Sequence, residues 1–151
     1  MDSKKVIVRR TLKHGKGVFA RVKIPKGMVI AAFDGTIYDH THEDWNDDLY
    51  NHAIQFEKRR WRDSMGIARL VNHSCDPNCG IRDLFKIVAM RDIAAGEEVT
   101  WDYGMTEDHV WRMKCTCGSP LCRKVIGSYR TMPPAIRRKY KGYISGWLTK
   151  Q

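Results

Sequence analysis

Short β-type runs bounded by Gly and Pro dominate this chain, and they restrict it to a fold made of many short strands. The runs are KVIVRR at 5–10, GVFARV at 17–22, GMVIAAF at 27–33, HAIQF at 52–56, FKIVAM at 85–90 and EEVTWDY at 97–103. The expected fold class is therefore mostly β. KIPKGMVI at 23–30 and DIAAGEEVT at 92–100 each read as an Ile, a tight turn closing on Gly, then a strand, a pair of similar turns rather than a repeat. Helical character is confined to two segments. THEDWNDDLYNH at 41–52 is expected to be capped by Thr41, with first-turn acids that suit the helix dipole. PPAIRRKYKGYI at 133–144 enters through prolines that a first turn accepts, and the tail GWLTKQ carries no pattern to interpret.

At 151 residues the chain suits one domain with a core large enough to fold without an obligatory metal or disulfide. It has no apolar stretch of about 18 residues, and MDSKKVIVRR lacks the apolar centre of a signal peptide, so a soluble, intracellular protein (cytoplasmic or nuclear) away from membranes is expected. In that setting five cysteines read as metal ligands or buried thiols rather than disulfides. The net charge of +10 is uneven: residues 123–151 carry eight Lys/Arg and no acid, and residues 2–26 carry nine against Asp2 alone. The middle is then acidic by about six charges, which favours a basic partner, while the basic ends allow a weak association with nucleic acid.

CTCGSPLC places Cys115, Cys117 and Cys122 in a C-x-C-x4-C spacing, where Gly118 and Pro120 favour a turn that gathers three thiols. A closed structural zinc site takes four protein ligands, so a fourth must come from elsewhere. His73, Cys75 and Cys79 of NHSCDPNC are the candidates, and a thiolate from Cys75 is the simplest choice. A Cys–His nucleophile in NHSC is disfavoured, because it would leave both the C-x-C cluster and WDYG unexplained.

HGKGVFA at 14–20, ARLVNHSCDPNC at 68–79, GEEVTWDYG at 96–104 and CTCGSPLCR at 115–123 occur in this order. Together they resemble the SET-domain protein-lysine methyltransferases with a post-SET cysteine segment, most closely the compact single-domain microbial forms. The resemblance implies a β-rich fold with a knot-like crossing of NHSCDPN and the WDY strand, and a division into a SET catalytic domain at 5–108, a zinc-stapled post-SET segment at 109–127 and a basic, partly helical tail at 128–151. It also implies that S-adenosylmethionine enters one side of a cleft and a lysine the other, with structural zinc held by Cys75, Cys115, Cys117 and Cys122. Cys79 is then a spare buried thiol.

By the same resemblance Tyr103 is the catalytic tyrosine and also touches the cofactor. Gly15, Lys16, Gly17, Asn72 and His73 are the other cofactor residues, the glycines because backbone can approach there without obstruction. The side chain of Lys16 reads equally well as a solvated loop charge. Phe33 and Trp101 line the substrate channel, where many family members carry Tyr in place of Phe33 and Phe or Tyr in place of Trp101, so the number of methyl groups added stays open. Asn78 is expected to tie the turn at Pro77. The function implied is S-adenosylmethionine-dependent methylation of lysine in a basic protein, histone-like or other, with Glu43, Asp44, Asp47 and Asp48 beside the peptide groove; these acids read equally well as a solvated helix face. The competing reading is a catalytically silent, zinc-stapled SET-like module that binds protein or nucleic acid.

Overall fold

VIVRR and KGVFA form an antiparallel hairpin in which Val6 faces Ala20 and Arg10 faces Lys16. These are β1 (Val6–Arg10) and β2 (Lys16–Ala20) of the computed structural model, which describes residues 2–150. The chain continues through β3 (Val29–Ala32), β4 (Ile37–Asp39), α1 (Asp47–His52), β5 (Ile54–Glu57) and β6 (Arg60–Arg62). After a 3-10 turn at Ile67–Leu70 come β7 (Asn72–His73), β8 (Cys79–Arg82), β9 (Lys86–Ala89) and β10 (Glu98–Trp101). The last third holds β11 (Arg112–Lys114), β12 (Val125–Gly127), α2 (Pro134–Lys139) and α3 (Gly146–Thr149). The expected class, mostly β with a few short helices, is the one observed.

Four small sheets result, in the orders β1-β2-β10-β7, β3-β9-β8, β4-β6-β5 and β11-β12. The first two share a core in which Val18, Ile24, Ile81, Ile87, Ile93 and Val99 are fully withdrawn from water. β7 runs parallel to β10, with Asn72 beside Thr100 and His73 beside Trp101. Asn78 fastens the same passage from its far end: its amide donates to the Glu98 carbonyl (2.8 Å) and accepts from the Thr100 N–H (3.0 Å). The NHSCDPN and WDY motifs thus lie side by side, and the Asn78 side chain ties the loop to the neighbouring strand β10 rather than to its own turn.

The two similar turns meet. Ile24 and Ile93 exchange backbone hydrogen bonds of 2.9 Å, and Gly27 and Gly96 donate to Ala89 and Ala20 at 2.8 Å. Both glycines are left-handed, at φ 85° and 87°, a conformation that only a residue without Cβ adopts cheaply.

Two further expectations are corrected, and the tail proves informative. Thr41 caps no helix: its amide and hydroxyl both bond the Asp39 carboxylate, and α1 starts later, at Asp47, behind Asn46, whose side chain accepts from the Leu49 N–H. The segment at 133–144 is helical only to Lys139, because Tyr140 caps it and Gly142 turns left-handed at φ 86°. The tail is structured: Trp147 donates its indole N–H to the Thr106 carbonyl at 2.9 Å, and Leu148 enters the core.

Candidate active site and metal centre

Tyr103 stands where β10 ends, at the start of a 3-10 turn begun by Asp102, whose carboxylate accepts the Gly104 N–H at 3.0 Å. Its ring lies 5.3 Å from that of His73 and 5.2 Å from that of Trp101. Two cavities meet at this residue. One, of about 280 Å³, is lined by Phe33, Trp101 and Tyr103 at one part and by Tyr50, Glu107 and Trp111 at another. The other, of about 290 Å³, is lined by His14, Asn72, His73, Tyr103 and the cysteine loop at Cys115–Cys117. Tyr103 is thus the sequence-predicted residue common to both.

Phe33 and Trp101 pack edge-on at 6.2 Å, making one apolar wall. Burial pushes the Tyr103 phenol up to about 12, so it is neutral and protonated at physiological pH. Its hydroxyl reaches the Val71 carbonyl at 3.4 Å. Burial also lowers His73 to about 4, against the opposing pull of Asp102, and keeps the ring neutral. His73 Nδ1 accepts the Tyr103 N–H at 3.2 Å, so the ring proton belongs on Nε2, which faces the Cys75 sulfur at 3.4 Å.

HGKG approaches this site through its backbone. Asn72 donates both amide hydrogens, to the Lys16 carbonyl (3.0 Å) and to Glu98 Oε1 (2.8 Å), which leaves its own oxygen as an acceptor. A Cβ on Gly17 would stand 2.5 Å from Glu98 Oε1 and 3.0 Å from the Asn72 amide nitrogen, so a larger residue here would have to push the Glu98 and Asn72 side chains aside. His14, rather than Gly15, Lys16 or Gly17, provides that loop's lining of the cavity.

Cys75, Cys115, Cys117 and Cys122 bring their sulfurs within 4.8 Å of one another, with Cys75 and Cys115 3.8 Å apart. Zinc–sulfur bonds of about 2.3 Å in a tetrahedron set neighbouring sulfurs about 3.8 Å apart, so the four thiols fit zinc. Burial pushes the Cys75 and Cys115 thiols up, and a bound cation is what would draw them to thiolate. Cys79 lies apart in β8, fully buried in the main core.

Several site residues escape sequence reasoning. Glu107 is buried among the Gln55 N–H (2.9 Å), the Thr106 hydroxyl (3.1 Å) and His109 Nδ1 (3.1 Å), and Asn51, Trp111 and Met113 line the first cavity with it. They belong to none of the motifs, although Glu107 follows WDYG closely and Trp111 and Met113 precede CTCGSPLC; the tertiary fold brings them to Tyr103. Of the four acids around α1, Asp48 is held by Arg69 at 2.5 Å and sits 3.1 Å from His52 Nδ1.

A β-rich domain with a parallel-paired NHS motif, a tyrosine between two cavities and a four-thiol cluster drawn from two segments defines the class. A SET-domain profile matches residues 15–104, and the chain belongs to the SET-domain family. It is 33% identical over 138 residues to the histone-lysine N-methyltransferase trr of Drosophila melanogaster, a match covering 79% of this chain and 6% of that protein. Over 67 residues it is 48% identical to a histone-lysine N-methyltransferase, H3 lysine-4 specific, of Saccharomyces cerevisiae, covering 38% of this chain and 6% of that protein. The chain therefore spans only a small fraction of these curated relatives. The crystal structure of KRYPTONITE in complex with mCHG DNA and SAH superposes with a TM-score of 0.64 at 26% identity, covering 80% of this chain and 28% of that one.

Proposed function

We propose that the chain is an S-adenosylmethionine-dependent protein-lysine N-methyltransferase with a structural zinc. The observation that carries this is Tyr103, which borders one cavity behind HGKG and NHS and another running past Phe33 and Trp101. When bound, S-adenosylmethionine supplies an electrophilic methyl on a sulfonium, and SAH, present in the KRYPTONITE structure, is what such a transfer leaves behind. Asn72, with both amide hydrogens occupied, offers its oxygen to an ammonium such as that of a methionine end. His73 and His14 line the same cavity, and the Lys16 carbonyl fixes the Asn72 amide beside it. Phe33 and Trp101 form the walls of a narrow lysine channel and exclude water.

The amine must be neutral to attack, and in water at pH 7.4 deprotonation costs about 4 kcal/mol for a lysine of ordinary pKa. A dry channel lowers that by disfavouring the ammonium. The amine lone pair forms the new N–C bond, the C–S pair leaves with sulfur, and the methylated ammonium then gives up a proton to solvent. Tyr103 orients this exchange with a protonated phenol and takes no proton. The domain division is SET at 5–108, zinc segment at 109–127 and basic tail at 128–151. Support for a histone-like substrate comes from the relatives' names, from the H3(1-15) peptide in a second KRYPTONITE complex, and from the exposed acids Glu43, Asp44 and Asp47, which precede the cavity-lining residues Tyr50–His52 in the chain. That substrate suits a nuclear location. No helix among the described residues is long and apolar enough to cross a membrane.

The test is mass spectrometry of histone H3 and other lysine-rich proteins after incubation with S-adenosylmethionine and either this protein or its Tyr103→Phe variant. Mass gains of 14 Da per methyl, on the order expected for N-methylation, should appear with the first and nearly vanish with the second. No gain on any substrate together with no cofactor binding would defeat the proposal. A weak nucleic-acid association is a second reading, favoured by Lys4, Arg9, Arg10, Lys13 and Arg21, which make no ion pair among the described residues. Retention of duplex DNA should then fall steeply with added salt.

A further inference from the structure

We propose that Arg123 is a positioning residue for Tyr103, acting through Asp102, and that the Cys75 sulfur is the point to which both are fastened. This rests on the role given to Tyr103 above. Asp102 is fully buried, and a carboxylate in such a place needs a compensating charge. Arg123 supplies it as a fork: Nη1 meets Oδ2 at 2.7 Å and Nη2 meets Oδ1 at 3.1 Å. The carboxylate so held receives the Gly104 N–H at 3.0 Å, which fixes the backbone on the far side of Tyr103. On the near side the Tyr103 N–H is held by His73 Nδ1 at 3.2 Å.

Both arms return to one atom. His73 Nε2 faces the Cys75 sulfur at 3.4 Å, and the backbone N–H of Arg123 donates to the same sulfur at 3.3 Å. A closed ring therefore runs from Cys75 through His73 to Tyr103, across Gly104 and Asp102 to Arg123, and back to Cys75. Arg123 directly follows Cys122, so its place is set by the three-thiol loop and its cluster with Cys75. The ring makes the order of that loop a condition for the tyrosine backbone to hold its angle. A phenol displaced by a fraction of an ångström loses alignment with an in-line displacement, and misplacements of about 1 Å cost on the order of 100-fold in rate. Lysine cannot replace the fork, because a single ammonium cannot grip both carboxylate oxygens in this plane.

The deciding variants are Arg123→Gln and Arg123→Lys, the second keeping a cation beside Asp102 so that the fold survives the loss of the fork. Zinc content, S-adenosylmethionine affinity by calorimetry, kcat and KM for a histone H3 peptide, and amide hydrogen exchange at Tyr103 and Gly104 are measured. Arg123→Lys should retain zinc, leave cofactor affinity and peptide KM within about twofold, and lower kcat by about tenfold or more. Tyr103 and Gly104 amides should exchange about tenfold faster, a change read without any turnover. In a Tyr103→Phe background the Arg123→Lys change should produce little further loss, because the hydroxyl it positions is gone. Unaltered kcat and exchange in Arg123→Lys, or losses that multiply with Tyr103→Phe, would overturn the assignment. An inactive wild-type protein would remove the enzymatic reading while the exchange rates still decide whether Arg123 holds Tyr103.

Discussion

The phenol of Tyr103 is held neutral by burial, and its neighbours act on its position more than on its protonation. Its pKa of about 12 lies above the ordinary tyrosine value, so the stability linked to this group is fully present below about pH 10 and is lost only as pH rises toward 12. The rate under subsaturating peptide should therefore climb about tenfold per pH unit from 7 to 9, following lysine deprotonation, with no downturn from Tyr103. A rate maximum near pH 8 that Tyr103→Phe abolishes would contradict this. Tyr103→Phe should lower kcat by about 100-fold or more while shifting stability by less than about 1.5 kcal/mol, since the hydroxyl makes one long bond to Val71. Side chains inside motifs are the legible part at this scale: Tyr103, Phe33 and Trp101 line one cavity, Asn72 and Tyr103 line the other, and four cysteines cluster. His14 in place of its glycine neighbours, and the Arg123–Asp102 pair, are not, because a bond between residues distant in sequence depends on a register that no local pattern carries.

Short elements set the limits of reading at the next scale. β4, β6, β11 and β12 have three residues each, too few for alternation to show. The β5–β6 turn carries Arg59 at φ 61° with no glycine to announce it. Thr41 resembled a cap because its residue type is right; the nearby Asp39 carboxylate captures it, and Asn46 does the capping. Asn46→Ala should therefore cost about 1 kcal/mol in urea unfolding, and Thr41→Ala should leave α1 intact. Because Tyr50, Asn51 and His52 of α1 line the first cavity, Asn46→Ala should also raise the peptide KM more than it lowers kcat.

Across the whole molecule, four thiols from two distant segments join the C-terminal third to the body. Elemental analysis after dialysis should find about one zinc per chain. Chelation or Cys75→Ser should release it, loosen residues 111–127 toward proteolysis and lower methyl transfer together. Cys79→Ser should keep the metal and lose only stability, about 1–3 kcal/mol, since it places a hydroxyl in the main core. The tail is a second tie that composition concealed: Trp147→Ala removes the bond to Thr106 and apolar burial, and should lower the midpoint of thermal unfolding without releasing zinc.

The paired turns around Ile24 and Ile93 bear on how the chain reaches this state. Their backbone exchange joins residues nearly seventy positions apart, so a large loop must close before either turn gains its partner. A nascent chain must extend past Ile93 before β2 can meet its central neighbour β10. If the Ile24–Ile93 pairing forms early, trimming either isoleucine to alanine should slow refolding as well as hasten unfolding; a change confined to the unfolding rate would place the pairing late.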